Sequence, residues 1–125
     1  MAADGTGDKL DGDRSQAAPT FPEVEHLCNK LFEETVAVKD HYDHNEALKW
    51  NTKLVESITE GLVAMSRPFK YCVTCIAMEA GAKFGLNVSS TCFWDKQSDM
   101  SYSVRCESKN VIAVCTIFAV NCAEL

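Results

Sequence analysis

No stretch of this chain approaches the roughly 18 consecutive apolar residues that a membrane-spanning helix needs, so no membrane partner is expected. The N-terminus has neither the basic region nor the apolar core of a signal peptide, and the expectation is a soluble, intracellular protein. Basic residues are outnumbered, 12 Lys and Arg against 18 Asp and Glu, and they form no stripe. With a formal net charge of -6 the chain repels phosphate backbones, so nucleic acid is not an expected partner either.

Histidine is scarce, with three in all. His41 and His44 stand beside Asp40 and Asp43 in a polar link, with no cysteine or further histidine nearby to close a tetrahedral metal site. A solvated loop is the better reading. His26 falls among the polar positions of a helix and needs no special account. No serine or cysteine is arranged with His and Asp as an activated nucleophile. The sequence therefore points to no catalytic, cofactor-binding or metal-binding residues, and to a protein that is not an enzyme.

Cysteine is abundant, but in an odd number. Cys28, Cys72, Cys75, Cys92, Cys106, Cys115 and Cys122 lie in apolar segments, unlike the even, loop-borne set of a secreted disulfide scaffold. They read as small buried hydrophobes in a reducing compartment. Cys72-Val73-Thr74-Cys75 has the spacing of a thiol redox motif. Active pairs of that kind sit at a helix N-terminus, whose dipole lowers the thiol pKa. Here the pair falls in a β-branched run, where an offset of three sends the side chains to opposite faces, out of disulfide reach.

Residues 1–19 carry four aspartates and no aromatic residue, which reads as a disordered acidic tail. One domain is expected over residues 20–125. Thr20 with Glu23 forms a capping box, and Pro22 stands in the first turn of a helix. Val24, Leu27, Cys28, Leu31, Phe32 and Thr35 make its apolar face, and the end is expected near Lys39. Asp43 and Glu46 repeat the capping pattern. In the second helix the expected buried stripe is Leu48, Thr52, Val55, Ile58, Leu62 and Met65, with Trp50 and Leu54 on its shoulder. Pro68 stops the helix.

Four strands are then expected. Phe69–Met78 is apolar on both parities. Leu86–Asp95 sets Leu86, Val88, Cys92 and Trp94 against Asn87, Ser89 and Thr91. Met100–Ser108 alternates, with Tyr102, Val104 and Cys106 inward. Val111–Val120 is apolar almost throughout, after a tight Lys109-Asn110 turn in which Asn tolerates positive φ. Two-sided apolar strands belong in the middle of a sheet and alternating ones at its flanks. The expected order is therefore third, fourth, first, second, in an α+β fold with both helices on one face. The other face displays Val, Ile, Phe and Cys side chains. Each costs on the order of 1.5–3 kcal/mol to leave exposed, so a second copy is expected to cover them.

The residues Trp50-Asn51-Thr52 and Val55-Glu56, then Arg67-Pro68-Phe69-Lys70-Tyr71 and Val73-Thr74-Cys75, resemble the Tctex-type dynein light chain family. So do Ser89-Ser90, Cys92-Phe93-Trp94-Asp95, Val104-Arg105 and Glu107. The likeness runs from about residue 45 to residue 120. Cys72 and Cys106 depart from it, standing where members tend to carry larger apolar or aromatic side chains.

The resemblance implies two helices on a four-stranded antiparallel sheet, and a dimer formed by exchange of the second strand, here Leu86 to Asp95. It also implies a non-catalytic light chain of a dynein motor that docks an extended segment of a dynein intermediate chain beside that strand. The residues expected to meet partners are Leu86, Asn87, Val88, Ser89, Ser90, Thr91, Cys92, Phe93 and Trp94, with Tyr71 bordering the groove and Lys70 either bordering it or a plain surface charge. Phe93 and Trp94, being adjacent, point to opposite faces. The same chain could instead serve as a cargo or scaffold adaptor outside the motor, or pair with a related light chain. The long polar N-terminus hints at a ciliary or flagellar version.

Overall fold

The computed structural model describes residues 16–36, 42–81 and 85–122. Within them the order is α1 (Phe21–Thr35), α2 (His44–Ala64), β1 (Phe69–Glu79), β2 (Met100–Glu107) and β3 (Val111–Asn121). The three strands form one antiparallel sheet in the order β1-β3-β2. Both helices lie on one face, α1 against β2 and α2 against β1, and they also pack on each other.

Local chemistry accounts for the helix ends. At α1 the Thr20 N–H donates to Glu23 Oε1 (2.8 Å) and the Glu23 N–H donates to Thr20 Oγ1 (3.3 Å), the reciprocal box expected of that spacing. The helix closes at Thr35, where Val36 N–H bonds the Phe32 carbonyl. The expected end near Lys39 lies outside the described residues, as does His41. Asp43 caps α2 by accepting from Asn45 N–H at 2.9 Å. Beyond Ala64, Ser66 takes φ 57°, a left-handed conformation where a side chain is strained. Arg67 and Pro68 then release the chain into β1.

Glu23 has a second role. Its carboxylate accepts from both terminal nitrogens of Arg67, at 3.1 and 2.9 Å, tying the start of α1 to the start of β1. Next to this pair, the buried Tyr102 hydroxyl donates to the Pro19 carbonyl at 2.6 Å. Burial, with the neighbouring Tyr71, pushes the Tyr102 phenol up to about 12, so it stays a donor at any ordinary pH. Pro19 is buried, so the packed body reaches at least one residue ahead of Thr20.

The core lies between helices and sheet. It comprises Val24, Cys28 and Phe32 of α1, then Trp50, Leu54, Ile58 and Leu62 of α2. Tyr102, Val104 and Cys106 of β2 meet the odd-numbered residues of β3 from Val111 to Ala119. The two helices approach closely at Gly61, where a Cβ would stand 2.7 Å from Leu27 Cδ1.

Four expectations need correction. In α2 Ile58 and Leu62 are buried and Met65 packs on the core as expected, but the rest of the buried stripe is Ala47, Trp50 and Leu54 in place of Leu48, Thr52 and Val55. Leu48 stands two residues, about 200°, from Trp50 on the helical wheel. It is 75% exposed, because the large indole takes the sheet-facing position. The Lys109-Asn110 hairpin closes without positive φ at Asn110, with Ser108 N–H donating to the Val111 carbonyl at 2.8 Å. The sheet has three strands among the described residues, not four. Leu86–Asp95 is not among them, although the other three follow the expected order. The outer face is also not wholly bare. The Trp94 ring meets Phe118 edge-on at 6.0 Å, and Ile112 is buried on that side.

Ser66→Gly should relieve the left-handed strain and raise unfolding stability by about 1 kcal/mol, read as a shift of the urea midpoint. Burial raises the Glu23 carboxyl pKa, but the Thr20 backbone and Arg67 outweigh it and hold the group below its ordinary 4.5. A depressed carboxylate contributes stability above the unfolded value, and loses it as pH falls through the folded one. Wild type and Glu23→Gln should therefore differ by roughly 1 kcal/mol at pH 7 and converge in acid, measured by thermal unfolding across pH.

Candidate interaction edge

Which way the peptide groups of each strand point follows from β3, the central strand. Ser108 N–H donates to the Val111 carbonyl, so odd residues of β3 bond towards β2. Ala80 N–H to the Asn110 carbonyl and Cys122 N–H to the Pro68 carbonyl show even residues bonding towards β1. Partners across β1 and β3 share parity, Tyr71 with Ala119 and Val73 with Ile117. The odd residues of β1 therefore turn their N–H and C=O groups away from β3, towards an edge that no described strand occupies. Their side chains, Phe69, Tyr71, Val73, Cys75 and Ala77, meanwhile pack on the helix-facing core.

Two groups on that edge are occupied, the first being the Phe69 N–H, which donates to the Arg67 carbonyl at 2.7 Å. Asn51, reaching over from α2, donates its Nδ2 to the Cys75 carbonyl at 3.0 Å. Its Oδ1 and the Tyr71 hydroxyl are buried without a hydrogen-bond partner. A buried polar atom in that condition costs about 1–3 kcal/mol, so this is where the single chain is least satisfied. Lys70, expected either to border the groove or to be a plain surface charge, is exposed on the opposite parity.

The nine expected partner residues form one continuous run outside the helices and strands. Leu86, Asn87, Val88, Ser89, Ser90, Thr91, Cys92 and Phe93 are exposed, and Trp94 is half-buried against Phe118. None belongs to a strand. Phe93 is fully exposed, so the two neighbouring aromatic rings do part company. Leu86 and Val88 join Arg105, Ile112 and Val114 around a depression of about 370 Å³ on the outer face.

Asp99, in the turn between this run and β2, positions the run and was not among the expected site residues. Asp99 is buried, and its carboxylate accepts from Asp95 N–H at 3.1 Å and Asn121 N–H at 2.7 Å. It thereby clamps the exit of the run to the end of β3. Gln97 N–H donates to Asp95 Oδ1 and Asp99 N–H to the Asp95 carbonyl, which tightens the turn. Two aspartates four apart between extended segments were the available signal, since such side chains cap their own turns.

Among the described residues no group of three or more His, Cys, Asp or Glu is arranged to hold a metal ion. No helix there is long and apolar enough to cross a membrane. His44 begins α2 with its Nδ1 3.2 Å from the Tyr42 hydroxyl. Cys72 is exposed and Cys75 half-buried on the other face, as their offset requires.

The Tctex-1 family profile matches residues 20–120. The human protein named dynein light chain Tctex-type 3 is 33% identical over 81 residues, 65% of this chain and 69% of its own length. The Drosophila melanogaster dynein light chain Tctex-type is 27% identical over 109 residues, 87% of this chain and 96% of its own. The Dictyostelium discoideum dynein light chain Tctex-type is 27% identical over 79 residues. With a family match over nearly the whole described body, the chain belongs to the Tctex-1 family, among dynein light chains.

Proposed function

We propose that this protein is a non-catalytic light chain subunit of a dynein microtubule motor. It dimerises by exchanging the run from Leu86 to Asp95, and it binds an extended segment of a dynein intermediate chain by strand addition. One observation carries the reading: a solvent-exposed run outside any strand and a strand edge that no described strand occupies are found in the same small chain.

Each feature is costly alone. An open edge invites uncontrolled pairing, and a run exposing Leu86, Val88 and Phe93 leaves apolar area in water. Placing the run of one copy on the β1 edge of another satisfies both at once. Such an added strand would bring N–H groups to the edge beside Asn51 Oδ1. The exchanged strand then presents its own second edge, along Asn87, Ser89 and Thr91, to a peptide. Main-chain hydrogen bonds would hold that peptide, and the neighbouring side chains would select its sequence. Two equivalent grooves in a dimer grip two intermediate chains together, raising their effective concentration. The working location is the cytoplasmic microtubule cytoskeleton, including the cilium or flagellum where the motor is axonemal.

Native mass spectrometry should give twice the 13.8 kDa chain mass. A mixed mass with a related light chain would establish the heterodimer, and a folded species at 13.8 kDa alone would overturn the dimer. Recovery with a dynein intermediate chain from lysate supports the motor role, whereas recovery only with cargo proteins would replace it with the adaptor role. Phe93→Ala should weaken self-association about tenfold or more, about 1.4 kcal/mol, while leaving the unfolding of the dissociated chain unchanged. Ser90→Pro removes a main-chain donor from the exchanged strand. It should lower both dimer and peptide affinity by at least a similar factor in sedimentation and titration experiments.

A further inference from the structure

Four thiols converge in the core between helices and sheet. Cys28 comes from α1, Cys106 from β2 and Cys115 from β3, all buried, and Cys75 comes from β1 and is half-buried. The Sγ atoms of Cys75 and Cys115 lie 2.7 Å apart, and Cys106 and Cys28 neighbour the Cys115 thiol. Two thiolates on one tetrahedral zinc would stand about 3.8 Å apart, given Zn–S bonds of about 2.3 Å. The closest pair is thus too tight to share such an ion.

The register singles out one pair. Cys75 lies directly opposite Cys115. Parity along β3 makes this a non-hydrogen-bonded pair, because the Cys115 peptide group faces β2 and that of Cys75 faces the open edge. In such pairs the Cα atoms are about 4.5 Å apart and the side chains approach most closely, within the range a disulfide accepts. Cys106 faces Ala113 instead and meets Cys115 only diagonally, and Cys28 reaches it from a helix. The remaining gap to an S–S bond of about 2.05 Å is less than about 1 Å.

We propose that Cys75 and Cys115 are a redox-modification site that closes a reversible cross-strand disulfide when the protein meets a peroxide. Cys75 is the more accessible member. Its thiolate attacks one oxygen of hydrogen peroxide, the O–O bond breaks, hydroxide leaves, and Cys75 becomes a sulfenic acid. The Cys115 sulfur then attacks the Cys75 sulfur. The S–O bond breaks as the S–S bond forms, and the leaving hydroxide takes the Cys115 proton as water. In sum, two thiols lose two electrons and two protons, and one peroxide becomes two waters. A thiol reductant reverses the bond by exchange.

Hydrogen bonding to Cys115 pulls the Cys106 thiol pKa down, while the three surrounding thiols and burial push that of Cys115 up. Cys75, half-buried where Cys115 is buried, is the thiol that peroxide first meets, and Cys115, directly opposite it in the register, is placed to resolve the sulfenic acid. The bond joins residues 40 apart in sequence and pins the open-edge strand to the centre of the sheet.

The test uses the full chain in its native state. After hydrogen peroxide treatment, remaining thiols are alkylated with iodoacetamide in denaturant, and a non-reducing digest is mapped by tandem mass spectrometry that resolves Cys115 from Cys122. The expected result is a Cys75–Cys115 cross-linked peptide and a thermal midpoint raised by roughly 5–10 °C, with both effects reversed by dithiothreitol. Cys75→Ser should abolish the link and the shift, and Cys72→Ser should leave both intact. If the serine variant fails to fold, the linked peptide in the wild type still decides the matter. Full alkylation of Cys75 and Cys115 after oxidation would overturn the proposal. So would a link from Cys115 to Cys106 or from Cys72 to Cys75.

Discussion

The register of β3 between its two neighbours is the constraint on which the rest of this structure depends. As the central strand, β3 sends odd side chains into the helix-covered core and even ones to the outer face. Its peptide groups alternate at the same time between β2 and β1. A slip of one residue would reverse every one of these assignments, moving Ala113, Cys115 and Ile117 out of the core. The same parity opens the edge at Tyr71, Val73 and Ala77 and sets Cys75 across from Cys115. Core packing, the candidate interaction edge and the thiol pair are three consequences of one alignment.

That alignment leaves the single chain incomplete on one side. The helices cover a full sheet face, and Glu23 with Arg67, Tyr102 with Pro19 and Asp99 with Asn121 fasten the periphery. Among the described residues the contacts of the run from Leu86 to Trp94 with the body are the depression around Ile112 and the Trp94 ring on Phe118. Asp99 nevertheless holds the base of this run to the end of β3. The run thus leaves the body from a fixed point.

Much of the local structure was legible in the residues. Thr20, Glu23 and Pro22 announced a helix start because capping is a contact between near neighbours. The strict alternation of Tyr102, Val104 and Cys106 announced a one-sided strand. Three of the four strand positions followed from which segments are apolar on one parity or both. The errors came where periodicity had more than one solution. In α2 both Leu48 and Trp50 begin an apolar stripe at helical spacing, and only packing against β1 selects the one with the indole. Leu86–Asp95 has strand chemistry, yet a strand exists only with a ladder partner, and no described part of this chain supplies one.

What the amino-acid order determined by itself is whatever depends on neighbours a few residues apart: caps, strand parity, the opposite faces of Cys72 and Cys75, and the family likeness. What only the tertiary structure decided is what depends on distant segments meeting. It chose the buried side of α2, left the edge of β1 open, turned Asp99 into a clamp, and brought Cys75 and Cys115 together across 40 residues. Periodicity says which side chains share a face. Contact requires knowing which faces meet, and at what register.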